Sequence, residues 1–350
     1  MQCLSSAADT SESVAVHRGI EDKCSPPRRC CLVLIFLVPV AQNATRTIVE
    51  VMKHLVTFRM IDAIERTGSI RAAAEQVFQT PSAVQRRLQN YETELGFEIF
   101  ERTSKGVRLN AAGELAILHI RQSLADNDRL HSRISDLAGL RRGHVNIGCS
   151  QALMPYFLPA QIARYQIEHP QVTFNVQVME HTQAAEALEA FLVDIVLVFD
   201  EKTVPDYEVH LAVPQRLAAI MARDHPLSRH PVLRLRQCYE YPVALALQGF
   251  SGRMLLEKAL YGKTFKKPPI LQSNSFEFLT AHVATTQAIT FQVQIGAPQD
   301  GENKAIISRA IDTRDVPGGV LLLGRKRSRT LPVAASRFLE QITRALSEPR

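Results

Sequence analysis

Between Thr80 and Tyr91 the chain carries Arg86 and Arg87 but no acid. Val84, Leu88, Tyr91 and Leu95 recur at i, i+4, i+7 and i+11, the spacing of one apolar helical face. At about 100° per residue the opposite face carries Ser82, Arg86, Gln89 and Thr93, flanked by Gln85 and Arg87. Such side chains suit double-stranded DNA. Gln pairs with adenine edges, Arg pairs with guanine edges in the major groove, and all of them can meet phosphate. Taken alone, the pattern equally describes a solvated amphipathic helix.

What surrounds this segment favours the DNA reading. A helix is expected from Leu55 to Arg66, with Phe58, Ile61 and Ile64 inward and Gly68 as its stop. Ser69 is placed to cap a second helix, whose Ile70, Ala73, Ala74 and Val77 share one face. The run Ala72–Ala74 keeps that helix thin enough for close packing. After the short turn Phe78-Gln79, Thr80 can cap the third helix, and Pro81 suits its first position, where no N–H is needed. Beyond Gly96, Phe97 and Ile99 alternate, Ser104-Lys105-Gly106 turns, and Val107 and Leu109 alternate back. This is a two-stranded wing with Arg102, Lys105 and Arg108 around its tip, suited to gripping phosphate. The expected DNA-binding set is Ser69, Thr80, Pro81, Ser82, Gln85, Arg86, Arg87, Gln89, Arg102, Lys105 and Arg108.

Residues 55–113 resemble the DNA-binding region of LysR-type transcriptional regulators. The matching pieces are Gly68-Ser69, Ala72-Ala73-Ala74, Ser82-Ala83-Val84, Leu95-Gly96-Phe97, Ile99-Phe100-Glu101-Arg102-Thr103 and Leu109-Asn110-Ala111-Ala112-Gly113. One departure bears on sequence preference. Relatives lead into the recognition helix with Ser-Gln-Pro and place Ser soon after Ala-Val, whereas this chain has Thr80-Pro81-Ser82 and Gln85. Base preference is therefore not transferable from relatives.

Asn110 is placed to cap a long helix from Ala111 to about Leu140, ended by Gly143, with Leu115, Leu118, Leu124, Leu130, Ile134 and Leu137 on its apolar side. Two fates are open for that side: packing on its own C-terminal domain or, as the resemblance implies, pairing with a second copy in a dimer or tetramer.

From Val145 the pattern becomes strands alternating with helices. Val145–Cys149, Val172–Val178 and Ile195–Phe199 read as strands, Leu153–Glu168 and Gln183–Phe191 as helices. Continuous apolar strands separated by helices imply a parallel sheet covered on both faces. Leu158-Pro159, His169-Pro170, His225-Pro226-Leu227 and Tyr241-Pro242 stand where the family has such residues. The resemblance thus implies an effector-binding domain built like periplasmic binding proteins, and covers about 55–345. The fold class expected is α/β overall: an all-α winged helix-turn-helix at 52–110, a linker helix at 111–142, and a two-lobed α/β domain at 143–350. Lobe one is expected at about 143–215 and 296–350, lobe two at about 216–295. Where relatives carry Val-Ala-x-Gly-x-Gly-Ile, Val283–Ile289 has neither glycine.

Ligands of open α/β folds sit beyond the carboxyl ends of strands. That rule selects Ser150, Gln151, His181, Thr182 and Asp200 in lobe one, and Gln248, Ser251, Ser273, Asn274 and Ser275 in lobe two. Ser150, at a helix start and at the usual Ser/Thr position of relatives, suits a carboxylate, so the expected effector is small and anionic.

Composition bounds the rest. The 350 residues allow two or three domains, and a net charge of +6 permits a nucleic-acid partner without demanding one. Six cysteines without a CxxC pair argue against a zinc site or disulfide framework and fit a reducing cytoplasm. Cys149 and Cys238 read as redox sensors or, more simply, as buried thiols. GxSxG, Walker A, HExxH and glycine-rich dinucleotide motifs are all absent, so neither an enzyme nor a cofactor is expected. Residues 1–51 hold Arg28-Arg29 ahead of the apolar run Cys30–Val38, which Pro39 breaks. This has the outline of an export signal, but it starts well inside the chain and no cleavage site follows. It is too short for a membrane span, which needs roughly 20 apolar residues. The segment is expected to be a disordered extension, or upstream sequence with the working start at Met52. The rival classes are an exported solute-binding protein and a helix-turn-helix fused to an enzyme-derived domain.

Overall fold

The computed structural model describes residues 54–104, 106–137, 142–199, 207–301 and 303–348; the expectations for residues 1–51, Lys105 and Asp200 lie outside them. Helix α1 occupies 54–67, α2 Ile70–Gln76 and α3 Pro81–Leu95. Strands β1 (Phe100–Thr103) and β2 (Gly106–Leu109) pair antiparallel as the wing. The expected punctuation is present. Ser69 accepts from Ala72 N and Thr80 from Ala83 N, each capping its helix, with Pro81 at the first position of α3. Gly68 and Gly96 take positive φ where α1 and α3 stop. Phe58, Ile61, Ile64, Ala73, Ala74, Val84 and Leu88 form one core with Ile99 and Ile117. The apolar stripe of α3 ends sooner than its spacing predicts. Tyr91 is half-buried and Leu95 is 41% exposed, because the chain turns away at Gly96 before anything covers that last turn.

Helix α4 runs Ala111–Leu137. Asn110 Oδ1 accepts from Gly113 N, and Asn110 Nδ2 donates to Glu98 O, so one side chain both starts α4 and ties it to the approach to the wing. Gly143 does not end this helix as expected. It lies inside β3 (Arg142–Cys149), where a Cβ would stand 2.8 Å from Ala334 Cβ, so the glycine admits close packing rather than a helix stop.

The C-terminal half has two sheets. The first, in order β4-β3-β5-β13-β6, combines β3, β4 (Gln171–Val178), β5 (Ile195–Phe199), β6 (Tyr207–Gln215) and β13 (Gly319–Lys326). Strands β4, β3 and β5 are parallel, but β13 is antiparallel to both β5 and β6, so the sheet is mixed rather than all-parallel. Both faces are covered. Ile195, Leu197 and Phe199 of β5 face the core made with α5 (Phe157–Glu168) and α10 (Val333–Ser347), while Val196 and Val198 face α6 (His181–Glu189).

The second sheet has the order β11-β7-β12-β8, from β7 (Leu217–Ala222), β8 (Val232–Leu233), β11 (Thr290–Val293) and β12 (Ile306–Ile311). Beside it β9 (Ala244–Ala246) and β10 (Leu271–Ser273) pair parallel. Leu217, Ala219 and Met221 pack towards α7 (Leu235–Cys238) and α8 (Ser251–Leu260); Ala218 and Ile220 pack towards α9 (Phe276–Val283). The lobe boundary differs from expectation. Strand β12 hydrogen-bonds β7 from Ala310↔Ala218 to Ile306↔Ala222, so residues 306–311 belong to lobe two, and the chain returns to lobe one between β12 and β13. Alternation identifies a strand but not the sheet that receives it.

Candidate nucleic-acid interface and effector cleft

On α3, Ser82, Arg86, Arg87 and Gln89 are exposed and Gln85 is half-buried. No hydrogen bond or ion pair engages Arg86 or Arg87 among the described residues. The first acid of the helix, Glu92, is turned inward, where its Oε1 accepts from Ile99 N at 2.8 Å, so it does not oppose phosphate. A groove runs from Ser69 and Arg71 at the start of α2, past Pro81, Ser82 and Gln85, to Arg102 of the wing. The wing is held against the first turn by Val107 N donating to Gly68 O at 2.9 Å. Arg108 stays exposed in the wing, as expected of a DNA-facing cation, but has a partner there. It is ion-paired with Glu101, directly opposite in the wing ladder. Among the described residues of the wing, Arg102 is the cation that faces the groove. Thr80 serves as cap, and its Oγ1 lies 3.2 Å from Ser82 Oγ.

In the C-terminal half the structure brings together part of the expected effector set. Ser150, 1% exposed, has its hydroxyl 3.5 Å from that of Ser251, joining the lobes. Gln151 Nε2 donates to Asn274 O at 3.0 Å, a second bridge. Ser273 and Ser275 serve the local backbone. Ser273 Oγ accepts from Ser275 N, and Ser275 Oγ accepts from Phe278 N as the cap of α9. His181 packs on the Tyr207 ring, Thr182 and Gln248 are exposed, and none of the three lines the small cavity that Ser150 and Ser251 share. Two residues at this end of the strands escaped sequence reasoning, Arg253 and Glu180. Both are charged residues at helix starts, and that position was their only signal.

The turn 284–289, which lacks the family's glycines, takes no positive φ. Thr285 and Thr286 hydroxyls donate to His282 O, and Thr286 Oγ1 accepts from Ala288 N, so threonine bonds close the turn instead. Cys149 and Cys238 are buried free thiols, each pushed up to about 12 by burial, which keeps them protonated and poor as redox sensors.

Glu180 follows β4 and has one carboxylate oxygen buried without a hydrogen-bond partner among the described residues. Burial raises its carboxyl to about 7. The folded chain therefore keeps this proton after an unfolded chain, with its ordinary value of 4.5, has lost it. The contribution is fully present below 4.5, and stability falls as pH rises from there to about 7. Glu180→Gln removes the ionisation and is expected to raise the melting temperature at about pH 8 while changing little at about pH 4. A melting temperature at the higher pH no greater than wild type would count against this.

Two family models match. Residues 55–114 match the bacterial regulatory helix-turn-helix protein model of the lysR family, and residues 138–347 match the LysR substrate binding domain. The chain belongs to the LysR family. Its relatives are transcriptional regulators. The HTH-type transcriptional activator CmpR of Synechocystis sp. is 22% identical over 285 residues, covering 81% of this chain and 93% of that protein. Full-length OxyR from Pseudomonas aeruginosa has the same fold at a TM-score of 0.59 and 18% identity, covering 82% of this chain and 94% of that one. CbnR, solved in complex with its target DNA, reaches 0.58 at 16% identity over 83% of this chain and 99% of its own. The architecture of this LysR chain is accordingly a winged helix-turn-helix, a long helix and a two-lobed α/β domain. Among the described residues, no helix is long and apolar enough to cross a membrane.

Proposed function

We propose that this chain regulates transcription in the cytoplasm by reading double-stranded DNA with α3 and the wing, as a dimer or tetramer, under control of a small anionic effector held between its lobes. The observation that carries this is the acid-free exposed face of α3 lying beside the groove that ends at Arg102. The assembly reading rests on α4, which leaves Leu115 75%, Leu130 56% and Leu137 89% exposed along its length. An apolar face of that extent on a long helix calls for a partner surface, and a second copy supplies one. Coupling has a route. Ser132 of α4 accepts from Val333 N, and Asp136 pairs with Arg337, both at the start of α10 in lobe one. A lobe movement is therefore felt at the linker helix, to the extent that the effector binds the two arrangements differently.

Two substitutions test the DNA reading together. Arg86→Ala is expected to cost about 1–3 kcal/mol at the operator and much less on random DNA, because a base contact is lost. Arg102→Ala is expected to weaken both alike and to lower the salt slope of binding by about one, as loss of a phosphate contact does. Gel-shift titrations over a salt series measure both. If Arg86→Ala binds the operator like wild type, the face of α3 assigned to DNA is wrong.

A further inference from the structure

Helix α4 is tied down at two places. Arg121 bonds Asp62 and Glu65 of α1, and Asp128 stands 3.9 Å from Arg59 of the same helix. Further along, Ser132 and Asp136 hold the start of α10 in lobe one. Between these ties, α1, α4 and lobe one enclose a cavity of about 770 Å³. Sites for small organic ligands run to about 300–1,000 Å³, so there is room for one. Five arginines and three aspartates line the cavity. Two of the aspartates are engaged: Asp62 by Arg121 and Arg66, Asp194 by Arg329 at 3.0 Å and by Asn146 N. The third, Asp128, meets Arg59 only at a distance too long for a charge-assisted hydrogen bond. Arg142, exposed at the start of β3, lines the same cavity with no ion pair or hydrogen bond among the described residues. The walls therefore hold a guanidinium whose charge no neighbour answers.

The apolar wall carries a strained residue. Helix α6 closes with Phe191 N donating to Leu188 O at 3.2 Å and Leu192 N donating to Ala187 O at 2.9 Å. This double closure places residue 191 in the left-handed region, where glycine is the usual occupant. Phe191 takes it at φ +58°, a conformation that a bulky side chain adopts only against strain. The strain sets an aromatic ring on the cavity wall. Two cations hold the ring, Lys326 Nζ at 4.5 Å and the Arg329 guanidinium at 5.2 Å from its centre. Leu192 continues that wall, and Leu124 and Ala125 of α4 add to the apolar lining.

We propose that this cavity is a regulatory ligand site separate from the interlobe cleft, taking an organic anion with a flat aromatic body and one acidic group. Arg142 receives the acidic group, since a planar guanidinium matches a carboxylate or sulfonate and is otherwise unpaired. The Phe191 ring, with Leu192 and Leu124, receives the body, since an aromatic ring beside another gains more than its buried area. Such a ligand touches α1, α4 and lobe one together. It therefore joins the DNA-binding half to lobe one across a gap that α4 alone spans. None of the residues expected in the interlobe cleft lines this cavity.

The full-length protein is titrated with 8-anilinonaphthalene-1-sulfonate, an aromatic body with one acidic group that fluoresces in apolar surroundings. Wild type is expected to bind it with a saturable component. Arg142→Gln removes the charge and is expected to weaken that component at least threefold. Ala125→Trp fills the cavity and is expected to abolish it. Arg142 is exposed, so its replacement leaves the fold standing and decides the matter even if Ala125→Trp fails to fold. The dye also settles on exposed apolar surface such as the leucines of α4, but that binding is indifferent to both substitutions. A saturable component absent from wild type, or equal in Arg142→Gln, overturns the proposal. Displacement by 1-naphthoate and not by acetate, at matched ionic strength, is the expected outcome; displacement by acetate as readily would overturn the aromatic class. Gel shifts with and without the dye follow DNA affinity, which is expected to change at least twofold in wild type and not in Arg142→Gln. An unchanged affinity in wild type overturns the regulatory role. The fluorescence arms need no DNA, so they stand or fall apart from the reading of α3 and the wing.

Discussion

Replacing Arg121 with methionine is expected to destabilise the DNA-binding half by about 3–5 kcal/mol. Arg121 lies on α4, its side chain 9% exposed, and reaches across to α1. Its Nε donates to Asp62 Oδ1 at 2.7 Å, and its Nη2 donates to Glu65. Asp62, itself only 12% exposed at the side chain, keeps one other cation, Arg66 at 2.9 Å. Methionine fills the space of the aliphatic stem but leaves buried carboxylate charge without its main partner, which is the expensive half of breaking a buried pair. Urea unfolding of the two proteins measures the loss. The double substitution Arg121→Met with Asp62→Asn should recover part of it, because the stranded charge is then gone. A loss below about 1 kcal/mol would mean the pair behaves as an exposed one and Arg66 suffices.

The second large effect is expected at Gly106, where the wing meets the turn after α1. Gly106 has φ +134°, and a Cβ there would stand 2.2 Å from the carbonyl oxygen of Gly68, a backbone atom that cannot swing aside. Gly106→Ala therefore adds a steric cost of about 1–3 kcal/mol to a conformational cost of about 1–3 kcal/mol. Gly96→Ala supplies the control, since its φ is +79° with nothing within 4 Å of the added Cβ. It should show the conformational cost alone. The difference between the two melting temperatures contains the close approach of wing and turn together with the extra backbone cost of φ +134° over φ +79°. Gly106→Ala should also weaken DNA binding by displacing Arg102, whereas Gly96→Ala should not. Equal losses of stability in the two variants would show that the wing relaxes away from Gly68 at no cost.

The N-terminal half was largely legible in the sequence, because its information is local. Ser69, Thr80, Gly68 and Gly96 act on neighbours within four residues, and Val84 and Leu88 meet the core at the spacing one helix turn dictates. What escaped depends on distance along the chain. Arg121 looks like an ordinary helix cation until α4 folds back on α1, 59 residues earlier. Arg108 reads as a free wing cation until the ladder sets Glu101 opposite it. Strand β12 is recognisable from its alternation, yet only pairing with β7 assigns its lobe. Within the cleft, Ser150 and Ser251 were found by the strand-end rule. Arg253 was not, because an Arg and a Glu four apart on a helix are indistinguishable in sequence from a solvated surface pair.

Strands β6 and β13 end and begin opposite one another, with Gln215 paired to Gly319. All of lobe two lies between those two residues. In topological terms β6 and β13 are the arms of a β-hairpin whose turn has been replaced by a hundred-residue excursion, roughly the size of an independent domain. The five-strand ladder of lobe one is therefore complete without the excursion. The debt in the other direction is small: Val293 and Ile295 reach back from lobe two into the first core. A chain in which 216–318 is excised and Gln215 is rejoined to Gly319 through a tight turn keeps every strand pairing of the first sheet in register. Such a module can be swapped between relatives as a cassette, exchanging half of a ligand site while the half that rests on the linker helix stays where it is.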